Sequence, residues 1–100
     1  MDYGQTLRRH RRLAILRFLQ ASPTYTSNVS ILTDVLNGSD IGIDTSRDQT
    51  ATELGWLAEQ GFVTLGGRPD FVVATATTRG VDIALGRAGH PEIQRPAPRS

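Results

Sequence analysis

Arginine is the residue type with the clearest chemical reach in this 100-residue chain, and it is unevenly spread. Arg8, Arg9, Arg11, Arg12 and Arg17 fall in the first 20 residues against a single acid, Asp2, a local charge of +4. The remaining 80 residues hold six arginines against nine acids, a local −3, and lysine is absent. A guanidinium offers a planar fork that matches phosphate and carboxylate, which an ammonium does not. A basic cluster attracts phosphate backbones. Two plainer readings stand beside that one: the arginine bias of a GC-rich genome, and a solvated helical face. Catalytic chemistry has less to work with. No Ser/His/Asp constellation is visible. His10 and His90 lie near opposite ends without ligand spacing, and there is no cysteine for a disulfide or a thiolate zinc site. Gly66-Gly67 is a turn rather than a phosphate loop, because no Lys-Ser/Thr follows. The expectation is a protein that is not an enzyme and uses no metal or cofactor.

The elements that must position these residues can be read in order. Residues 1–5 are expected to fray. A helix is expected over 6–21, stopped by Ser22-Pro23. Its apolar residues do not form one stripe: Ala14, Ile15 and Phe18 take one side, Leu13 and Leu16 the other. A helix apolar most of the way round is buried on more than one side, either by its own chain or at a subunit interface. A second helix is expected over 28–36, with Ser27 as its N-cap and Val29, Leu32, Val35 and Leu36 on one face. Asn37-Gly38 ends it. Residues 38–44 form a long link, in which Ile41 and Ile43 suggest an extended piece able to join a sheet as a third strand.

The third helix begins at a cap, Thr45 or Ser46, each with a capping-box partner three residues on, Asp48 or Gln49. It runs to Gln60, with Ala51, Leu54, Leu57 and Ala58 inward and Gln49, Thr52, Glu53, Trp56 and Gln60 outward; Gly61 closes it. Residues 62–65 and 71–76 read as a hairpin with a Gly-Gly-Arg-Pro-Asp reversal. Thr77 caps a fourth helix over 78–85, ended by Gly86. The Pro-rich segment 89–100 is expected to be an extended tail, free or laid on a partner subunit. The organisation is therefore 1–5 flexible, 6–88 a single domain and 89–100 a tail, α+β and mainly α. No apolar run approaches the roughly 18 residues of a membrane span, and no cleavage site follows the N-terminal arginines. A cytoplasmic protein with no membrane partner is expected.

Three runs carry a resemblance: Arg12-Leu13-Ala14-Ile15-Leu16, then Leu54-Gly55-Trp56-Leu57-Ala58-Glu59-Gln60-Gly61-Phe62-Val63, then Ala76-Thr77-Thr78-Arg79-Gly80. Their order resembles the winged helix-turn-helix regulators of the ArsR and MarR type. The chain as a whole, from about residue 6 to 98, is similar to a family of small proteins of Mu-like phages and prophages, often labelled transcriptional regulators. That likeness rests on Trp56-Leu57-Ala58-Glu59-Gln60-Gly61, on Thr78 to Ala88, and on the Arg-Pro tail. The metal-sensing cysteines of ArsR-type repressors have no counterpart.

The resemblance implies a three-helix core, a two-stranded wing and a fourth helix, acting as a homodimeric phage regulator on double-stranded DNA. Base contacts would come from Ser46, Arg47, Gln49 and Thr50 at the start of the third helix. Phosphate contacts would come from Arg8, Arg9, Arg11, Arg12 and, on the wing, Arg68. Leu13, Leu16 and Trp56 are the candidate protein interface. One feature of the residues opposes this: from Ser46 to Gln60 one arginine faces three acids, a net of −2, and acids facing a duplex repel it. The competing expectation is a protein-interaction module on the same scaffold, using the Trp56 face and no DNA.

Overall fold

The computed structural model describes residues 2–97. Four helices and three strands follow in the order α1 (Tyr3–Ala21), a 3₁₀ turn (Pro23–Tyr25), β1 (Thr26–Asn28), α2 (Val29–Asn37), α3 (Arg47–Glu59), β2 (Val63–Arg68), β3 (Phe71–Ala76) and α4 (Thr78–Ala84). The fold is α+β and mainly helical. Its antiparallel sheet has the order β1-β3-β2. Thr26 pairs with Thr75 and Asn28 with Val73 on one side of β3, while Val63 pairs with Ala76 and Arg68 with Phe71 on the other.

Residues 2–5 are not frayed. Asp2 accepts from the Gln5 N–H and the Gln5 side chain answers to the Asp2 N–H, a reciprocal capping box that starts α1 at Tyr3. The cap of α2 is Asn28, one residue beyond the expected Ser27, and its side chain accepts from the Ile31 N–H at 2.9 Å. Ser27 lies one residue earlier, in the middle of β1, paired with Ala74.

The third strand is thus Thr26–Asn28, not the 38–44 link. The link is bent by Gly42 at φ 67°. The Ile41 and Gly42 amides both donate to the Gly38 carbonyl, and the Ile43 amide donates to Leu36. Those bonds occupy the groups a strand would need.

α1 crosses the middle of the molecule. Ile15, Leu16 and Leu19 are buried among Leu32, Leu36, Leu54, Leu57, Val63 and Ile83. The apolar girth of α1 is therefore largely covered by its own chain, and Leu16 has no exposed surface at all. The Ala76-Thr77-Thr78-Arg79-Gly80 run has a steric cause. Thr77 caps α4 by accepting from the Gly80 N–H, and a Cβ on Gly80 would lie 2.1 Å from the Phe62 carbonyl oxygen. Only glycine lets α4 approach the start of the hairpin so closely.

Residues 89–97 are not a free tail. Ile93 is 1% exposed, the Gln94 amide donates to the Arg9 carbonyl at 3.2 Å, and His90 meets Trp56 and Phe62 edge-on. The single large apolar residue of the segment, inserted into the core, holds the prolines around it against the body. Residues 98–100, the end of the expected tail, and Met1 lie outside the described residues.

Candidate nucleic-acid interface

The start of α3 is built by local hydrogen bonds. Ser46 Oγ accepts from the Gln49 N–H at 3.1 Å, and Gln49 Oε1 accepts from the Ser46 N–H at 2.9 Å. This box leaves the Gln49 side-chain NH₂ uncommitted on an exposed first turn. Arg47, the first helical residue, is exposed, and its Nη1 donates to Ser30 Oγ on α2. Asp48 lies in the same turn, where the positive end of the helix dipole favours an acid.

Of the four residues expected to touch bases, Ser46, Arg47 and Gln49 are exposed and Thr50 is not. Thr50 is fully buried; its Oγ1 lies 2.8 Å from Thr33 Oγ1 and donates to the Ser46 carbonyl at 3.2 Å. It ties α3 to α2 at their crossing and cannot face a ligand.

Two of the expected phosphate contacts are also corrected. Arg11 is buried, with Nε donating to Thr45 Oγ1 at 3.1 Å and Nη2 to the Asp44 carbonyl at 3.2 Å. Arg12 is buried too. Its Nε meets Glu53 Oε1 at 2.8 Å, its Nη1 donates to the Glu92 carbonyl at 2.9 Å, and its guanidinium lies 3.9 Å from the Trp56 ring centroid. Withdrawing it to reach a phosphate would strand Glu53 as an unpaired buried charge, at a cost of about 3–5 kcal/mol. Arg8 is exposed and Arg9 half-buried at the N-terminal end of α1, beside a small pocket that also touches Gln5 and Glu92.

The same ion pair changes the charge of α3. Glu53 is answered inside the molecule, so the exposed charges of the helix are Arg47, Asp48 and Glu59. The net repulsion is one unit smaller than the sequence count implies.

Trp56 is not the open anchor expected of an interface. Arg12 lies on its face and His90 stands against it at 5.2 Å with an interplanar angle of 87°. Of the three expected interface residues, Leu16 is wholly interior, Trp56 is capped, and only Leu13 borders an open surface.

Arg68 ends β2 at the hairpin tip, highly exposed and 3.6 Å from the equally exposed Asp70. From there a run of neighbours leads to α3. Arg68 faces Phe71, and two residues along β3 Val73 faces Asn28. Asn28 caps α2, and Ser30 in its first turn holds Arg47. Alternation along the strands puts Arg68, Phe71, Val73 and Asn28 on one sheet face. The hairpin, the start of α2 and the start of α3 are thereby joined, with Arg47 and Arg68 as cations. Ser30 and Asn28 were not singled out from sequence. Asn28 had a local signal in its N-cap chemistry, whereas the Ser30–Arg47 contact is non-local.

A protein of Escherichia phage Mu, described as "Uncharacterized protein gp26", is 43% identical over 90 residues, spanning 90% of this chain and 91% of its own. The chain belongs to the family of phage Mu gp26. A Haemophilus influenzae relative, described as "Uncharacterized protein", is 33% identical and is matched over all of this chain and 96% of its own. No family model and no solved structure matches the chain. In this gp26-family protein no described helix is long and apolar enough to cross a membrane. Among the described residues no group of three His, Cys, Asp or Glu side chains is placed to hold a metal.

Proposed function

We propose that this gp26-family protein is a winged helix-turn-helix protein that binds duplex DNA in a regulatory role on phage or prophage DNA. The start of α3 would enter the major groove, and the β2–β3 hairpin would act as the wing. The observation that carries the reading is the Arg47–Ser30 contact, which ties the first residue of α3 to the first turn of α2 on the side continued by the hairpin that bears Arg68. Internal neutralisation of Glu53 by Arg12 supports it by removing one acid from the presented charge. Arg47 and the Gln49 amide suit guanine and adenine edges respectively; Arg68 suits a phosphate.

The arginine placed on a phosphate, Arg68, fixes the expected salt response. Each phosphate neutralised contributes about −0.9 to the slope of log affinity against log salt, so one contact per chain lowers affinity roughly 8-fold over a tenfold rise in salt. Fluorescence anisotropy on a labelled mixed-sequence duplex measures this directly. Arg68→Ala should flatten the slope by about one unit, and Arg47→Ala should cost about 1–3 kcal/mol and relax the preference for guanine at one position. Absence of binding at the lowest salt, or variants that change neither slope nor affinity, overturns the proposal.

The second reading is protein binding without DNA. It draws on the exposed acids of α2, the link and α3: Asp34, Asp40, Asp44, Asp48 and Glu59 outnumber Arg47. The same titration decides between the two, because an acidic surface meeting a basic protein gives no duplex affinity at any salt.

A further inference from the structure

Arg8, Arg9 and Arg12 of α1 meet the returning segment 89–97 around a pocket of about 150 Å³, which Gln5, Pro91 and Glu92 complete. We propose that this pocket binds a free phosphate group, and that the bound anion fastens segment 89–97 onto α1.

The spacing along the helix sets up the charge. Residues three and four apart share a helix face, and like charges at that spacing repel. Arg12 stands four residues from Arg8 and three from Arg9. Glu53 answers Arg12 at 2.8 Å. Asp2 is engaged with the Gln5 amide, and neither its carboxylate nor that of Glu92 lies in ion-pair range of Arg8 or Arg12. Arg8 makes no hydrogen bond or ion pair among the described residues. With Arg12 balanced by Glu53, the lining keeps Arg8 and Arg9 against Glu92, a charge of +1.

Arg12 supplies a fixed donor. Its side chain is 9% exposed, with Nε spent on Glu53 and Nη1 on the Glu92 carbonyl. Its Nη2 makes no hydrogen bond, yet it is not sealed from solvent. An oxyanion can accept from that NH₂ without disturbing the ion pair, and a charge-assisted bond of this kind is a strong one. Because two bonds already hold the guanidinium, little entropy is lost when a third forms.

Size and closure select the ligand. The volume is well below the roughly 300 Å³ at which pockets begin to enclose a drug-sized molecule. A free phosphate offers oxygens on every side, whereas a backbone phosphate is esterified on two and cannot enter whole. The pocket is complete only while the segment is docked, since Pro91 and Glu92 belong to it. The Arg12 bond to the Glu92 carbonyl and the Gln94 amide bond to the Arg9 carbonyl hold it there. An anion that binds only the docked state stabilises that state by mass action.

Titration of the full chain with inorganic phosphate at neutral pH, against sodium chloride at equal ionic strength, tests the assignment. Saturable NMR shifts are expected at the Arg8 and Arg9 side chains and at the Gln94 amide, with Kd in roughly the millimolar range. At ten times that Kd, hydrogen exchange at Gln94 should slow about tenfold. Arg8→Gln, at an exposed position, should weaken phosphate binding about tenfold, and Glu92→Gln should tighten it severalfold by removing a like charge. Equal shifts with chloride, acetate binding as tightly as phosphate, unchanged affinity in Arg8→Gln, or binding that leaves Gln94 exchange unaltered would each overturn the proposal. No DNA is present in this experiment, so its outcome is independent of the nucleic-acid reading.

Discussion

Replacing Arg12 by methionine should destabilise this protein rather than weaken a phosphate contact. The Arg12 side chain is 9% exposed and its partner Glu53 is 3% exposed, with 2.8 Å between Nε and Oε1. Methionine keeps the aliphatic stem but leaves the Glu53 carboxylate buried without a cation, a loss of about 3–5 kcal/mol. The bond to the Glu92 carbonyl adds about 1 kcal/mol, and the contact with the Trp56 ring about 0.5–2 kcal/mol. These terms share one side chain and do not add fully, so about 4 kcal/mol is the expected cost. A domain of this size holds roughly 5–15 kcal/mol in all, and each kcal/mol corresponds to about 4–8 °C in Tm. A fall of some 15–30 °C follows.

Urea melts followed by circular dichroism and by Trp56 fluorescence measure it, since the ring loses its cation in the same step. The double variant Arg12→Met, Glu53→Leu removes both charges and should recover most of the loss, because a buried ion pair replaced by apolar groups of similar volume is close to neutral. Two results would refute the reasoning: a cost below about 1 kcal/mol for Arg12→Met, or a double variant no more stable than the single one. A stable Arg12→Met protein that had lost DNA affinity would return Arg12 to the list of phosphate contacts.

Other substitutions probe the remaining claims. Ile93→Ala should cost about 2–4 kcal/mol as a core truncation, and it should shift Trp56 emission to the red as the segment bearing His90 loosens. Gly80→Ala should cost about 2–3 kcal/mol from overpacking against the Phe62 carbonyl, read as a lower urea midpoint with an unchanged m-value. Arg47→Ala and Arg68→Ala, both at exposed side chains, should change stability by no more than about 0.5 kcal/mol, so any loss of duplex affinity in them is not a folding effect.

Features governed by neighbours in sequence were legible without a structure. The start of α3 was legible to within one residue, at Thr45 or Ser46, each with a capping-box partner three residues on; the cap is Ser46. The end of α2 and the hairpin follow from Asn37-Gly38 and from the glycines before Pro69. Thr77 capping α4 is equally local. Features that depend on distant partners were not. β1 exists because Thr26 meets Thr75, 49 residues away, and their hydroxyls bond at 2.9 Å. A three-residue strand of Thr, Ser and Asn has no pattern of its own.

Arg12 and Glu53 each look like surface charges on a helical wheel, since the wheel knows nothing of an element 41 residues away. The segment after residue 88 reads as extended because prolines dominate its composition; one isoleucine decides its placement. At the candidate interface Ser46, Arg47, Gln49 and Arg68 came from the sequence. Burial removed Thr50, Arg11 and Arg12.

The Arg12 guanidinium joins α1, Glu53 and Trp56 of α3, and a carbonyl 80 residues downstream. Contacts of such separation raise the contact order, and loop closure must precede the energy they return. The start and the finish of the described chain are therefore locked into one cooperative unit. Hydrogen exchange in α1 and at the Gln94 amide should proceed only through global opening, at matching free energies, whereas the hairpin tip around Arg68 exchanges through local fluctuation. A ligand held at that tip and at the start of α3 meets one mobile and one fixed contact, so most of the ordering cost of binding falls on the hairpin.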